Sequence, residues 1–292
     1  VSHCSLFSAG RFVAYGGAIY SHGRTYLSDT RITDSTAQAP DYYGGGGAIF
    51  ASSVRIIRST LSGNTAISGA NKYSFGGGIL TQGGAEIRYS TIADNTADLG
   101  GGLMLTQSTT PQTRLIINST ISGNHAGHDA GGLYCGSAPS LLRISNSTIT
   151  ANSAAVLVGA GARTFSAVEI VSSIIAGNAQ TLGTVDIAAA ESLTGSNNII
   201  IQSNVPLPPD TIQADPQLGP LQDNGGATLT HAVLAGSPAI DQGLNALGLL
   251  LDQRAFDIHV PDGYEREVGQ GTDIGAFEFG APDGIFADGF EA

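Results

Sequence analysis

The sequence contains no tryptophan, one methionine, one lysine and two cysteines, and only 12% of its 292 residues are charged. So few charged residues leave little material for the polar faces of surface helices. No run of 18 apolar residues occurs, which excludes a membrane-spanning helix. Two cysteines are too few for a disulfide scaffold. A basic patch is missing as well: residues 1–180 carry a balance of +2, and residues 181–292 a balance of −14. That acidic last third repels nucleic acid and anionic lipid, so nucleic-acid binding is not expected. GxSxG, HExxH, P-loop and Cys/His zinc spacings are all absent. What abounds is glycine, 41 residues, beside a hydrophobic content of 41%. That hydrophobic content excludes a disordered tail, and the pairing points to β structure with many tight turns.

One phrase recurs: STLSGNTA from Ser59, STIADNTA from Ser90, STISGNHA from Ser119, STITANSA from Ser147 and SIIAGNA from Ser173. Weaker copies begin at Thr30 and Cys4, which sets the Asn-equivalent positions at 9, 35, 64, 95, 124, 152 and 178, spaced by 26 to 31 residues. A second phrase alternates with it: GGAIY, GGGAIF, GGGIL, GGGLML, GGLYC and GAGAR. Three apolar columns line up across the copies. They are Ile19, Ile49, Ile79, Leu103 and Leu133; then Ile56, Ile87, Ile116, Ile144 and Ile170; then Leu61, Ile92, Ile121, Ile149 and Ile175. The second and third columns lie five residues apart, so one straight strand would place them on opposite faces. A bend near Arg58, Asn118 and Asn146 lets both point inward. These features predict an all-β fold, a right-handed parallel β-helix of about seven to eight coils with a C-terminal capping region. Asn64, Asn95, Asn124, Asn152 and Asn178 form a ladder of buried amides that bond from coil to coil. Cys135 reads as a core residue. Cys4, aligned with Ser119, lies about 19 Å from it, too far for a disulfide.

Regularity fades after Asn178, and Pro206–Pro209 interrupts any ladder. Three units result: β-helix repeats over 1–201, an irregular acidic cap over 202–279 and a tail over 280–292. The text DPQLGPLQDNGGATLTHAVLAGSPAIDQG from Asp215, then DQRAFD, then DIGAFEF ending at Phe279, closely resembles the choice-of-anchor Q domain family of bacterial surface proteins. Ala255 departs from the family's usual DQRG. The upstream repeats resemble the same family's β-helix and also polymorphic outer-membrane-protein repeats. IFADGFE from Ile285 resembles a C-terminal signature of exported gammaproteobacterial proteins. The resemblance implies an extracellular or bacterial cell-surface location and no particular reaction. Val1 opens in the middle of the repeat pattern, so residues preceding it are expected.

Loops over 36–43 and 65–75 are long, and those over 96–99 and 125–130 are short. Stacked side by side, the long pair raises a wall bearing Asp41, Tyr42, Tyr43, Lys72, Tyr73 and Phe75 beside a lower stretch with Asp98, His125, His128 and Asp129. Tyr20, Phe50, Leu80, Met104 and Tyr134 occupy the outward parity of the Gly-rich strands, one per coil. Such a row could stack on sugar rings, or the loops could fold over and bury it; the first option makes Tyr20, Tyr42, Tyr43, Phe50 and Tyr134 the substrate-binding candidates. Lys72, Tyr73, Asp98, His125 and Asp129 are the catalytic candidates. Lysis of a uronate polymer would use Lys72, Tyr42, Tyr73 or His125 as base, with Arg88 or Ca²⁺ as the neutralising cation. Hydrolysis would use Asp98 and Asp129 as a carboxylate pair. No metal site is assigned. The acidic residues Asp215, Asp223, Asp241, Asp252, Asp257, Asp262 and Asp273 could hold Ca²⁺, but solvated surface and turn-capping are the favoured explanation. The expected partner is an extracellular polysaccharide, bound and in one version depolymerised. A non-catalytic adhesin and a protein that self-assembles by coil stacking are the alternatives.

Overall fold

The computed structural model describes residues 1–8, 12–156, 159–181, 185–255 and 263–281, and among them every regular element is a strand. They build a parallel β-solenoid of about six turns. One turn runs through four short segments, as in Ile79–Thr81, Ala85–Arg88, Thr91–Ala93 and Thr96–Leu99. The first two are limbs of one sheet, and in the preceding turn they run together as Ile49–Ile57. The second sheet stacks seven strands from Arg31–Thr33 to Ile199–Ile200, and the third seven from Ser5–Phe7 to Ala179–Gln180. Pairing within these sheets is parallel, each residue meeting its own copy: Ile79 lies between Ile49 and Leu103, and Ile92 between Leu61 and Ile121.

Identical neighbours are the reason the core fills. The columns through Ile56, Ile87 and Ile144 and through Leu61, Ile92, Ile121 and Ile149 are fully buried. Burying each such side chain contributes roughly 1.5–3 kcal/mol. Two corners of the turn carry a left-handed residue followed by a polar ladder. At the first, Arg58, Asn118 and Asn146 have φ of 44°, 50° and 46°, which is the bend that the column spacing requires. The serine after it continues the stack: Ser59 N–H donates to Ser90 Oγ at 3.1 Å, and Ser90 N–H to Ser119 Oγ at 3.2 Å. After the second corner comes the asparagine ladder. Each Nδ2 from Asn64 to Asn152 donates at 2.9 Å to Oδ1 of the next asparagine. The main-chain N–H of each bonds the same oxygen, so buried backbone is satisfied as well. At the third corner, a Cβ on Gly77 would run into Gly101 O on the next coil, which explains the glycine phrase.

Two features differ from the repeat alignment. Ser5 pairs with Thr36, so Cys4, and not residue 9, stands beside Ser35 at the head of the asparagine column; position 9 itself lies outside the described residues. The first coil has lost the consensus letters, and five residues of slippage went unseen. At the far end the ladder closes on a carboxylate, with Asp186 Oδ1 accepting from Asn178 N–H at 2.9 Å and from its Nδ2 at 3.1 Å. Both cysteines are free.

Among the described residues after Ile200, Thr228, Leu229, Gln253, Ile274 and Phe277 lie against the outside of the second sheet. Gln253 accepts from Thr120 Oγ1 at 2.6 Å and donates to Thr91 Oγ1 at 2.9 Å. Ala276 N–H donates to Thr148 Oγ1 at 3.1 Å, and Ile274 and Phe277 join Ile174 and Ile199 in a second apolar cluster. The motif residues meet there. Arg254 pairs with Asp252 at 2.7 Å and lies between the rings of Tyr264 and Phe277, at 4.0 and 3.9 Å. Val205 and Leu207 pack against the main core.

Candidate functional site

The corner between the third sheet and the first limb gathers most of the residues that the loop comparison singles out. Two lines of side chains run along it. One is the outward row Tyr20, Phe50, Leu80, Met104, Tyr134 and Arg163, in register from coil to coil. The other is the column Tyr15, Gly45, Phe75, Leu99 and Asp129. Rings dominate the N-terminal half. Phe50 is held between Tyr15 and Tyr20, with centroids 4.7 and 5.1 Å away and planes within 9° and 11° of parallel. Tyr43 stacks on Phe75 at 5.9 Å, Tyr42 meets Tyr43 edge-on at 4.8 Å, and the Lys72 ammonium lies 5.3 Å from the Tyr43 centroid. Burial, then the nearby phenols of Tyr42, Tyr20 and Tyr43, pushes the Tyr15 hydroxyl above its ordinary range. Tyr20 is 52% exposed and Phe50 only 4%, so Phe50 supports its neighbours and offers no free face.

A polar centre follows. Asp129 takes the column position that Phe75 and Leu99 fill on earlier coils, and it is buried there. Its Oδ2 accepts from Arg163 Nη1 at 2.7 Å, with side chains 4% and 23% exposed. Burial raises the Asp129 carboxyl above the usual carboxylate range, against the opposing pull of Arg163 and His128. The Arg163 guanidinium lies 5.0 Å from the Phe165 ring, and Phe165 lies 5.6 Å from Tyr134. Burial and the Asp129 charge push the Tyr134 hydroxyl up. Tyr73 leans over the short coil between: its hydroxyl is 3.2 Å from His128 Nε2.

The remaining candidates are engaged elsewhere. Asp98 Oδ2 accepts from both the N–H and the hydroxyl of Ser74, each at 2.8 Å, on the preceding coil. Asp129 is turned to the following one, so the two carboxylates serve different contacts. His125 is exposed and its Nδ1 lies 2.9 Å from Ser153 Oγ. Of the acids considered for Ca²⁺, Asp252 pairs with Arg254, while Asp215 and Asp223 accept main-chain N–H groups two residues on. Asp257 and Asp262 lie outside the described residues, and among the described residues no three His, Cys, Asp or Glu side chains converge. A 260 Å³ cleft beside Arg24, Arg55 and Glu86 is the rival location, but Arg55 and Glu86 face each other at 3.2 Å and cancel much of its field.

Arg163, Phe165 and Tyr15 are site residues that the sequence reading missed. The signal was present: GAGAR sets Arg163 in the place of Tyr134 in GGLYC. No protein-family model matches the chain, and neither a curated protein nor a solved structure matches it.

Proposed function

We propose that this chain is a secreted or cell-surface β-helix protein that binds an extracellular polysaccharide along the corner between its first and third sheets. The observation that carries the reading is the succession of partly exposed rings, Tyr20, Tyr42, Tyr43, Tyr73 and Tyr134, laid along stacked coils. Coils repeat about every 4.8 Å, so the rings form a track suited to an extended chain of sugars. Binding is favoured over depolymerisation because Asp98 and Asp129 are committed to Ser74 and Arg163. The export assignment rests on the choice-of-anchor Q resemblance. In this reading Val205 and Leu207 close the core, residues 202–279 act as its cover, and partial end coils bring the count to seven or eight.

Affinity electrophoresis against plant, algal and bacterial polysaccharides, with reducing ends and unsaturated products followed in parallel, tests it. Retardation by at least one polymer that Y20A and Y43A weaken supports binding. Product formation moves the assignment to a lyase or hydrolase, and silence throughout removes the reading. Coil stacking between copies is a second reading, motivated by Phe7 and Tyr26 on the first coil, 61% and 57% exposed. A monomer in sedimentation at high concentration overturns it.

A further inference from the structure

Resting on the glycan-binding reading above, we infer that the corner selects an acidic polysaccharide, with Arg163 receiving the carboxylate or sulfate ester of one sugar. Among the described residues, two arginine ion pairs are exposed on both sides and two are fully buried. Arg58–Asp29 and Arg143–Glu169, each at 2.7 Å, have carboxylate side chains 55% and 38% exposed. In the Arg163 pair the carboxylate is nearly buried, so the acid fixes the guanidinium from beneath while the guanidinium meets solvent.

Only Nη1 is committed to Asp129; Nε and Nη2 make no hydrogen bond among the described residues. Phe165 supports one face of the guanidinium. A planar fork held in this way keeps N–H donors for a second anion and loses little side-chain freedom on binding it. Tyr134 is the direct register neighbour of Arg163, and its half-exposed ring lies beside the fork. Lys72 supplies a second exposed cation along the same track. Asp129, Asp98 and Asp41 share the corner, so the selectivity comes from the directed N–H donors of the fork and not from a net positive potential. Gln253 and Ala276 meet the second sheet, across the solenoid from this corner. A polymer lying in the corner therefore reaches the N–H donors that Arg163 and Lys72 present there.

Affinity electrophoresis of the whole chain decides the matter, in gels containing polygalacturonate, a sulfated galactan or a methyl-esterified galacturonan. The wild type should be retarded by one of the two anionic polymers about ten-fold more strongly than by the neutral ester, and added salt should erase the difference. Which anionic polymer it is tells carboxylate from sulfate. The double variant D129N/R163Q leaves no unpaired ion at this position, and its folding is checked by melting. It should fall to the level of the neutral ester, while R163K keeps part of the preference. Equal retardation by acidic and neutral polymers, or an unchanged preference in D129N/R163Q, overturns this inference and leaves glycan binding standing. Retardation by no polymer overturns both.

Discussion

Asp129 and Arg163 meet at 2.7 Å across adjacent coils, the acid buried and the guanidinium at the surface. Removing only the cation leaves a buried carboxylate without that partner. R163A should therefore lower stability by about 3 kcal/mol at neutral pH, whereas D129N/R163M should stay within about 1 kcal/mol of the wild type. Urea unfolding of the three proteins measures this, and equal midpoints for R163A and the wild type would contradict it.

Asn124 is fully buried and holds four partners: Asn95 N–H and Nδ2 on its oxygen, Ile92 O and Asn152 Oδ1 on its nitrogen. Replacing it with alanine strands all of them. Each unsatisfied group costs about 1–3 kcal/mol before relaxation, so N124A should lose at least about 3 kcal/mol or fail to fold. Thr96 is only half-buried, and T96A should cost less than about 1 kcal/mol. Similar melting temperatures for N124A and T96A would remove the ladder from the account of stability.

Glu278 ties the C-terminal segment to itself, accepting from Asp273 N–H at 3.0 Å, with Arg266 Nε 3.9 Å away. Burial pushes its carboxyl from 4.5 up to about 8. The folded chain then keeps a proton that the unfolded chain releases. This contribution to stability is complete below about pH 4.5 and is lost as pH rises through about 8. Wild-type urea midpoints should fall from about pH 5 to about pH 9, by at most about 1.4 kcal/mol per pH unit from this group. E278Q should flatten that slope, and a slope unchanged in E278Q would assign it to other groups.

Cys135 is fully buried, and burial raises its thiol although Arg114 Nη1 lies 3.2 Å from the sulfur. Cys4 is partly exposed. A thiol reagent should label one cysteine per native chain rapidly and the second only on unfolding. C4S should abolish the fast phase; a fast phase that persists in C4S would show Cys135 to be reachable.

Repetition made the solenoid legible before any coordinates. A side chain repeated every 26 to 31 residues lands on its own copy, so the isoleucine columns and the asparagine ladder could be read directly from the sequence. Where repetition stopped, so did foresight. Cys4 was set five places out of register because its coil has lost the consensus. Asp186 was missed as the ladder's end because it follows Asn178 by only eight residues. The sequence leaves an open row and a buried row on equal terms, and Phe50 is buried because Tyr15 stacks on it from a different line of the corner.

Composition and periodicity alone determined that this chain is all β, that its turns stack in parallel and which side chains face inward, because stacking a repeat leaves one way to bury identical apolar positions. Tertiary structure decided the rest. It turned Asp98 toward Ser74 and Asp129 toward Arg163, and it laid Asp252, Gln253 and Arg254 beside the second sheet. Those outcomes depend on which coil each loop leans over and on how far burial raises the cost of an unpaired charge. Both are set by neighbours distant in the chain, and a local pattern does not encode them.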